Sequence, residues 1–88
     1  MQSIIYSNGS QECERARMLL EATHEDVREF KLDADFTDRQ FRAEFGEDAE
    51  YPQIALGLKH RGTLKETIQY MSEKGMFLYH VIQNYLTI

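Results

Sequence analysis

The chain has 88 residues, 42% of them hydrophobic and 28% charged. That fits one small globular domain and excludes a second domain as well as disordered and fibrous classes. A formal charge of −5 and a single cysteine, Cys13, argue against a nucleic-acid partner, an internal disulfide and a Cys-pair metal site, so any disulfide must join Cys13 to another molecule.

The opening MQSIIYS lacks the basic and long apolar stretches of a secretory signal, which makes a cytoplasmic location the expectation. Ser3 to Ser7 is a β-branched and aromatic run stopped by Asn8-Gly9, the pattern of a strand feeding a turn. Helix one follows from Gln11 to Thr23. In it Cys13, Ala16, Leu19, Leu20 and Thr23 recur at helical spacing and form an inward stripe, with Glu12, Glu14, Arg15 and Arg17 outside. Val27 to Leu32 reads as a second strand, with Phe30 and Leu32 on one face. Thr37 and Gln40 make a capping box for helix two, whose Phe41 and Phe45 turn inward before Gly46 stops it. The acidic run from Glu44 to Glu50 reads as a solvated loop.

Pro52 to Leu56 and Leu58 to His60 then read as a β-hairpin folded across Gly57. Thr63 and Glu66 make a second capping box, opening a helix that buries Leu64, Ile68 and Met71 and ends at Gly75. From Met76 to Ile88, Leu78, Val81, Ile82 and Tyr85 sit at helical spacing, which predicts a fourth helix covering the core. His80, Gln83 and Asn84 break that stretch well short of the ~20 apolar residues of a membrane span. The order β-α-β-α-β-β-α predicts a single domain over 1–88, with its core over 3–74 and a helical extension over 76–88. A parallel first crossover and an antiparallel hairpin make the sheet mixed.

The chemistry concentrates at the start of helix one. A thiol reacts as its thiolate, and the partial positive charge of a helix N-terminus favours that form, which is why redox cysteines occupy first turns. With Ser10 as N-cap, Cys13 is the third helical residue and its N–H lies within reach of the serine hydroxyl. Two readings of Cys13 stay open: a reactive thiol, or a packed one behaving as a small hydrophobe. Ser10 is a preferred N-cap, worth typically ~1 kcal/mol, and as a nucleophile it needs a base that the neighbouring sequence lacks. His24, His60 and Met71 have no ligand set at metal spacing, so no metal is expected.

In order and spacing, these stretches resemble the glutaredoxins, small proteins of the thioredoxin fold, from Ser3 to Lys74. Tyr6, Ser7, Cys13, Arg15, Ala16, Leu19 and Leu20 are similar to the family's strand, Tyr-Ser, turn, C-x-x-C and Arg-Ala-x-x-Leu-Leu. EYPQI, Glu50 to Ile54, resembles its Thr-Val-Pro-Gln-Ile segment. Lys59 to Thr67 resembles its double-glycine turn and helix start, and the Leu-Lys-Glu-Thr form is similar to phage-encoded members.

The resemblance implies an α/β, thioredoxin-like fold: a four-stranded mixed sheet in the order 2-1-3-4, helices one and three on one face, helix two on the other, and an extra C-terminal helix. It implies thiol–disulfide exchange with glutathione as cosubstrate, carrying electrons to disulfide-bearing proteins such as ribonucleotide reductase. A monomer is expected, with no metal, nucleic-acid or membrane partner. The same resemblance implies that Pro52 is cis and that the Tyr51 backbone pairs with the cysteinyl group of glutathione. It also implies that Leu64, Lys65 and Glu66 receive the γ-glutamyl end through helix N–H groups and a carboxylate. The alternative for Glu66 is that it spends itself on the capping box with Thr63.

The sequence departs from the family pattern at the site itself. Aligned through Arg-Ala-x-x-Leu-Leu, Cys13 takes the second cysteine's place and Ser10 that of the first, the family's nucleophile. The dithiol cycle is then closed to this chain, and only a mixed disulfide at Cys13 is left. The turn before Ser10 is one residue shorter, Asn8 stands near a position where the family carries a glutathione-pairing Lys, and His60-Arg61-Gly62-Thr63 replaces the double glycine. The expectation is therefore slow or absent glutathione-dependent reduction. The competing expectation is a redox-inert thioredoxin-fold module that binds a peptide or protein beside Tyr51-Pro52.

Overall fold

The computed structural model describes residues 2–23 and 26–75, so His24 and the helix expected over 76–88 lie outside the described residues. In chain order come β1 (Gln2–Ser7), α1 (Gln11–Ala22), β2 (Asp26–Lys31), α2 (Asp38–Phe45), β3 (Gln53–Leu56), β4 (Lys59–Gly62) and α3 (Leu64–Glu73).

Successive strand side chains point to opposite faces. β1 accordingly sends Ser3, Ile5 and Ser7 into full burial on one face and Ile4 and Tyr6 into half-burial on the other. It is the central strand, with β2 parallel on one side and β3 antiparallel on the other, which gives the order β2-β1-β3-β4. On the Ile5 face, Ile54 and Leu56 pack with Ala16, Leu19 and Leu20 of α1 and with Leu64, Ile68 and Met71 of α3. Each buried Ile, Leu or Met side chain there contributes about 1.5–3 kcal/mol. The inward stripe of α1 runs from Cys13 to Leu20, while Thr23 is the half-buried C-cap. On the Tyr6 face lies α2, whose Phe45 meets Tyr6 at 5.1 Å and Phe41 at 4.9 Å between ring centroids.

The hairpin differs from the sequence reading by one residue. Its turn is Gly57-Leu58, with Gly57 at φ 65°, where glycine alone escapes the Cβ clash, and Leu56 pairs with Lys59. Leu58 stands fully exposed at the tip. Beyond it the ladder steps from Ala55–His60 to Ile54–Gly62, so Arg61 is the extra residue of a bulge and β4 runs on to Gly62.

This register positions the site. Tyr6 at the end of β1 lies opposite Gln53 at the start of β3, and Ile54 lies opposite Gly62 at the end of β4. The starts of α1 and α3 and the Tyr51-Pro52 loop therefore gather at one end of the sheet. No helix among the described residues is long and apolar enough to cross a membrane.

Candidate functional site

Gly9, at φ 80°, lets the chain turn between β1 and α1, and its N–H donates to the buried Ser7 Oγ at 3.0 Å. Asn8 Oδ1 accepts the Ser10 N–H at 3.2 Å, the side-chain-to-backbone bond that makes asparagine a turn residue. Ser10 is extended (φ −71°, ψ 166°), and its Oγ accepts the Cys13 N–H at 3.3 Å, the N-cap bond expected from the sequence. The same hydroxyl donates to Cys13 Sγ at 3.2 Å, and the thiol donates onward to Asn8 Oδ1 at 3.3 Å. Asn8, Ser10 and Cys13 thus close a ring of hydrogen bonds around the sulfur.

Cys13 is 1% exposed, whereas Ser10 is half-buried and Asn8 exposed. The sulfur lies behind the serine as the first member of the inward stripe. Ser10 Oγ is bonded to the Cys13 N–H and sulfur and, among the described residues, to no base, so it caps the helix and holds the thiol.

The Tyr51–Pro52 bond is cis and Pro52 is buried. Gln53 folds its side-chain amide back to donate to the Glu50 carbonyl at 2.9 Å, closing the loop. The Tyr51 ring stacks on Phe41 of α2, with centroids 3.9 Å apart and planes at 14°, and its hydroxyl donates to Asp38 Oδ1 at 3.1 Å. Burial and then the bond to that carboxylate push the phenol up to about 12. Arg42 secures the same corner. Its guanidinium lies 5.4 Å from the Phe41 centroid and 5.9 Å from that of Tyr51, pairs with Asp38, and donates to the carbonyls of Glu47 and Ala49. The acidic run is solvated in its side chains, with Glu47, Asp48 and Glu50 exposed, but tethered through its backbone. The Tyr51 ring and hydroxyl are thus committed to α2.

At the start of α3, Gly62 has φ 94°, and a Cβ there would meet Glu66 Oε1 at 2.7 Å. The missing side chain lets Glu66 fold back. Its Oε1 accepts the Thr63 N–H at 3.2 Å and the Thr63 hydroxyl at 3.1 Å, and Thr63 Oγ1 accepts the Glu66 N–H at 3.4 Å. Glu66 therefore forms the capping box. Leu64 is anchored in the core, and Lys65 is exposed. The N–H groups of these two first-turn residues have no intrahelical acceptor, which suits them to a carboxylate.

The fold thus brings Ser10, Cys13, Tyr51, Pro52, Leu64, Lys65 and Glu66 to one end of the sheet. Sequence reading missed the parts that fix them. Asn8 as the thiol's acceptor had a local signal, an Asx turn two residues before the N-cap. Asp38 and Arg42 had none, since their bonds to Tyr51 and Ala49 span 13 and 7 residues. Among the described residues no group of three or more His, Cys, Asp or Glu is arranged to hold a metal ion.

No family model matches the chain, and no curated protein matches it significantly in sequence. Among solved structures it is similar to reduced Escherichia coli glutaredoxin, with a TM-score of 0.70 and 21% identity over 83% of this chain and 95% of that one. It is also similar to the glutaredoxin of Brucella melitensis, with a TM-score of 0.63 and 28% identity over 85% of this chain and 82% of that one. The fold is the thioredoxin-like fold of glutaredoxins, in the sheet order expected from the sequence.

Proposed function

We propose that this chain is a glutaredoxin-type, glutathione-linked thiol–disulfide exchange protein that works through Cys13 alone and is slowed by the serine at position 10. What supports the reading most is the Asn8–Ser10–Cys13 ring: a lone first-turn thiol, at the end of the sheet that also carries cis Tyr51-Pro52 and the α3 start. In the proposed step the Cys13 thiol loses its proton and its sulfur attacks the mixed disulfide of a protein with glutathione. A Cys13–glutathione disulfide forms, and the protein thiolate leaves and takes up a proton. A glutathione thiolate then attacks the glutathione sulfur of that adduct, which regenerates Cys13 and releases glutathione disulfide. The Tyr51 backbone and the first-turn N–H groups of Leu64 and Lys65 would hold the glutathione moiety.

The burial of Cys13 makes the first step slow, because a disulfide reaches the sulfur only when the surrounding structure opens. In a glutathione-coupled reduction assay we expect little turnover from this chain. Ser10→Cys, which puts a thiol at the half-buried position in front of Cys13, should raise it at least about tenfold. Equal, low turnover in both would count against the redox reading. The 1% exposure of Cys13 favours a second reading, a redox-inert module that binds a partner beside Tyr51-Pro52. That reading predicts no glutathione adduct on the folded chain.

A further inference from the structure

Behind the sheet, on the face away from the thiol, Tyr6, Phe36, Phe41 and Phe45 form a closed circuit of rings. Neighbouring centroids lie 5.8, 5.9, 4.9 and 5.1 Å apart, from Tyr6 to Phe36 to Phe41 to Phe45 and back to Tyr6. Phe41 is 2% exposed and forms the floor, while the other three rings are half-buried. With Asp35, Gln40 and Glu44 they line a cavity of about 270 Å³. Asp35 and Glu44 are exposed, and no lysine or arginine is among the lining residues. His60 meets Glu44 at 3.1 Å from outside.

Half-buried rings bordered by two exposed carboxylates combine the two features that attract a cation, the negative ring quadrupole and formal negative charge. The molecule contains its own instance. Arg42 lies over Phe41 and Tyr51 while its guanidinium pairs with Asp38 at 3.4 Å, so the ring that floors the cavity already packs against one guanidinium.

We propose that this aromatic bowl docks an arginine side chain of a partner protein. A planar guanidinium stacks on rings and forks onto carboxylates better than a compact, strongly hydrated ammonium does. The net charge of −5 draws a basic partner toward the chain. The inference rests on the α2 face and is independent of the chemistry at Cys13.

The test is an NMR titration of the chain with N-acetyl-arginine amide and, separately, N-acetyl-norleucine amide. The arginine probe should shift the ring resonances of Tyr6, Phe36 and Phe45 saturably, and the norleucine probe should not saturate over the same range. The double substitution Asp35→Asn, Glu44→Gln should weaken arginine binding about threefold to tenfold. Asn keeps the oxygen that accepts the Lys31 N–H at 2.8 Å, and unmoved methyl signals from the α1 and α3 face report an intact fold. Glu44→Gln alone, at an exposed helix position, should give a smaller loss in the same direction. Norleucine binding as tight as arginine binding, arginine shifts that map elsewhere, or unchanged affinity in the substituted chains would overturn the proposal.

Discussion

Tyr51 holds its phenol where burial and the Asp38 carboxylate both oppose the anion, which raises it from 10.0 to about 12. As pH climbs, the unfolded chain loses this proton first. The stabilisation is therefore complete below about 10 and lost as pH rises through about 12. Urea stability between those values should fall more steeply in this chain than in Tyr51→Phe, and equal slopes would mean that Tyr51 is not the group responsible. Asn8 makes a second residue-scale prediction. Asn8→Ala removes the acceptor of both the Cys13 thiol and the Ser10 N–H, a bond worth about 1 kcal/mol, so alkylation of Cys13 in the folded chain should quicken about fivefold. The address of Cys13 was legible because Ser10 spells an N-cap three residues earlier. Its burial was legible in part, since helical spacing set Cys13 on the inward stripe, but the spacing left a reactive and a packed thiol both open.

The start of α3 is the element most dependent on one small residue. Gly62→Ala would set a Cβ 2.7 Å from Glu66 Oε1 at a φ that L side chains rarely adopt, which should destabilise the chain by about 1–3 kcal/mol. Thr63→Ala should cost about 1 kcal/mol through loss of the cap alone, and chemical denaturation separates the two effects. Arg42→Ala frees the Glu47 and Ala49 carbonyls and uncovers Phe41 and Tyr51. We expect a loss of about 1–3 kcal/mol, together with faster amide exchange across residues 47–51. Helices and caps were legible here because Thr37–Gln40 and Thr63–Glu66 are local signals. The start of β4 was placed one residue early because the bulge at Arg61 and the Gly57-Leu58 turn set register through cross-strand pairing, which no short window contains.

At the scale of the molecule, the alternation of β1 divides the chain into an aliphatic layer that holds the thiol and an aromatic layer built on α2. The mixed sheet was legible because each strand carries its own pattern and the first crossover is parallel, whereas its order 2-1-3-4 was implied by the resemblance to glutaredoxins. The link from Phe36 and Phe41 through Tyr51 to the cis-proline loop was not legible, since those rings come from separate elements and meet only after folding. Exchange at Cys13 is tested most directly by the mass of the folded chain after incubation with glutathione disulfide at neutral pH, with parallel alkylation in native buffer and in denaturant. We expect alkylation to be slow when folded and fast when unfolded, and the folded chain to gain the mass of one glutathione, which is lost on reduction and absent from Cys13→Ala. A folded chain that takes no glutathione over the period in which the same folded chain is fully alkylated would contradict exchange at Cys13.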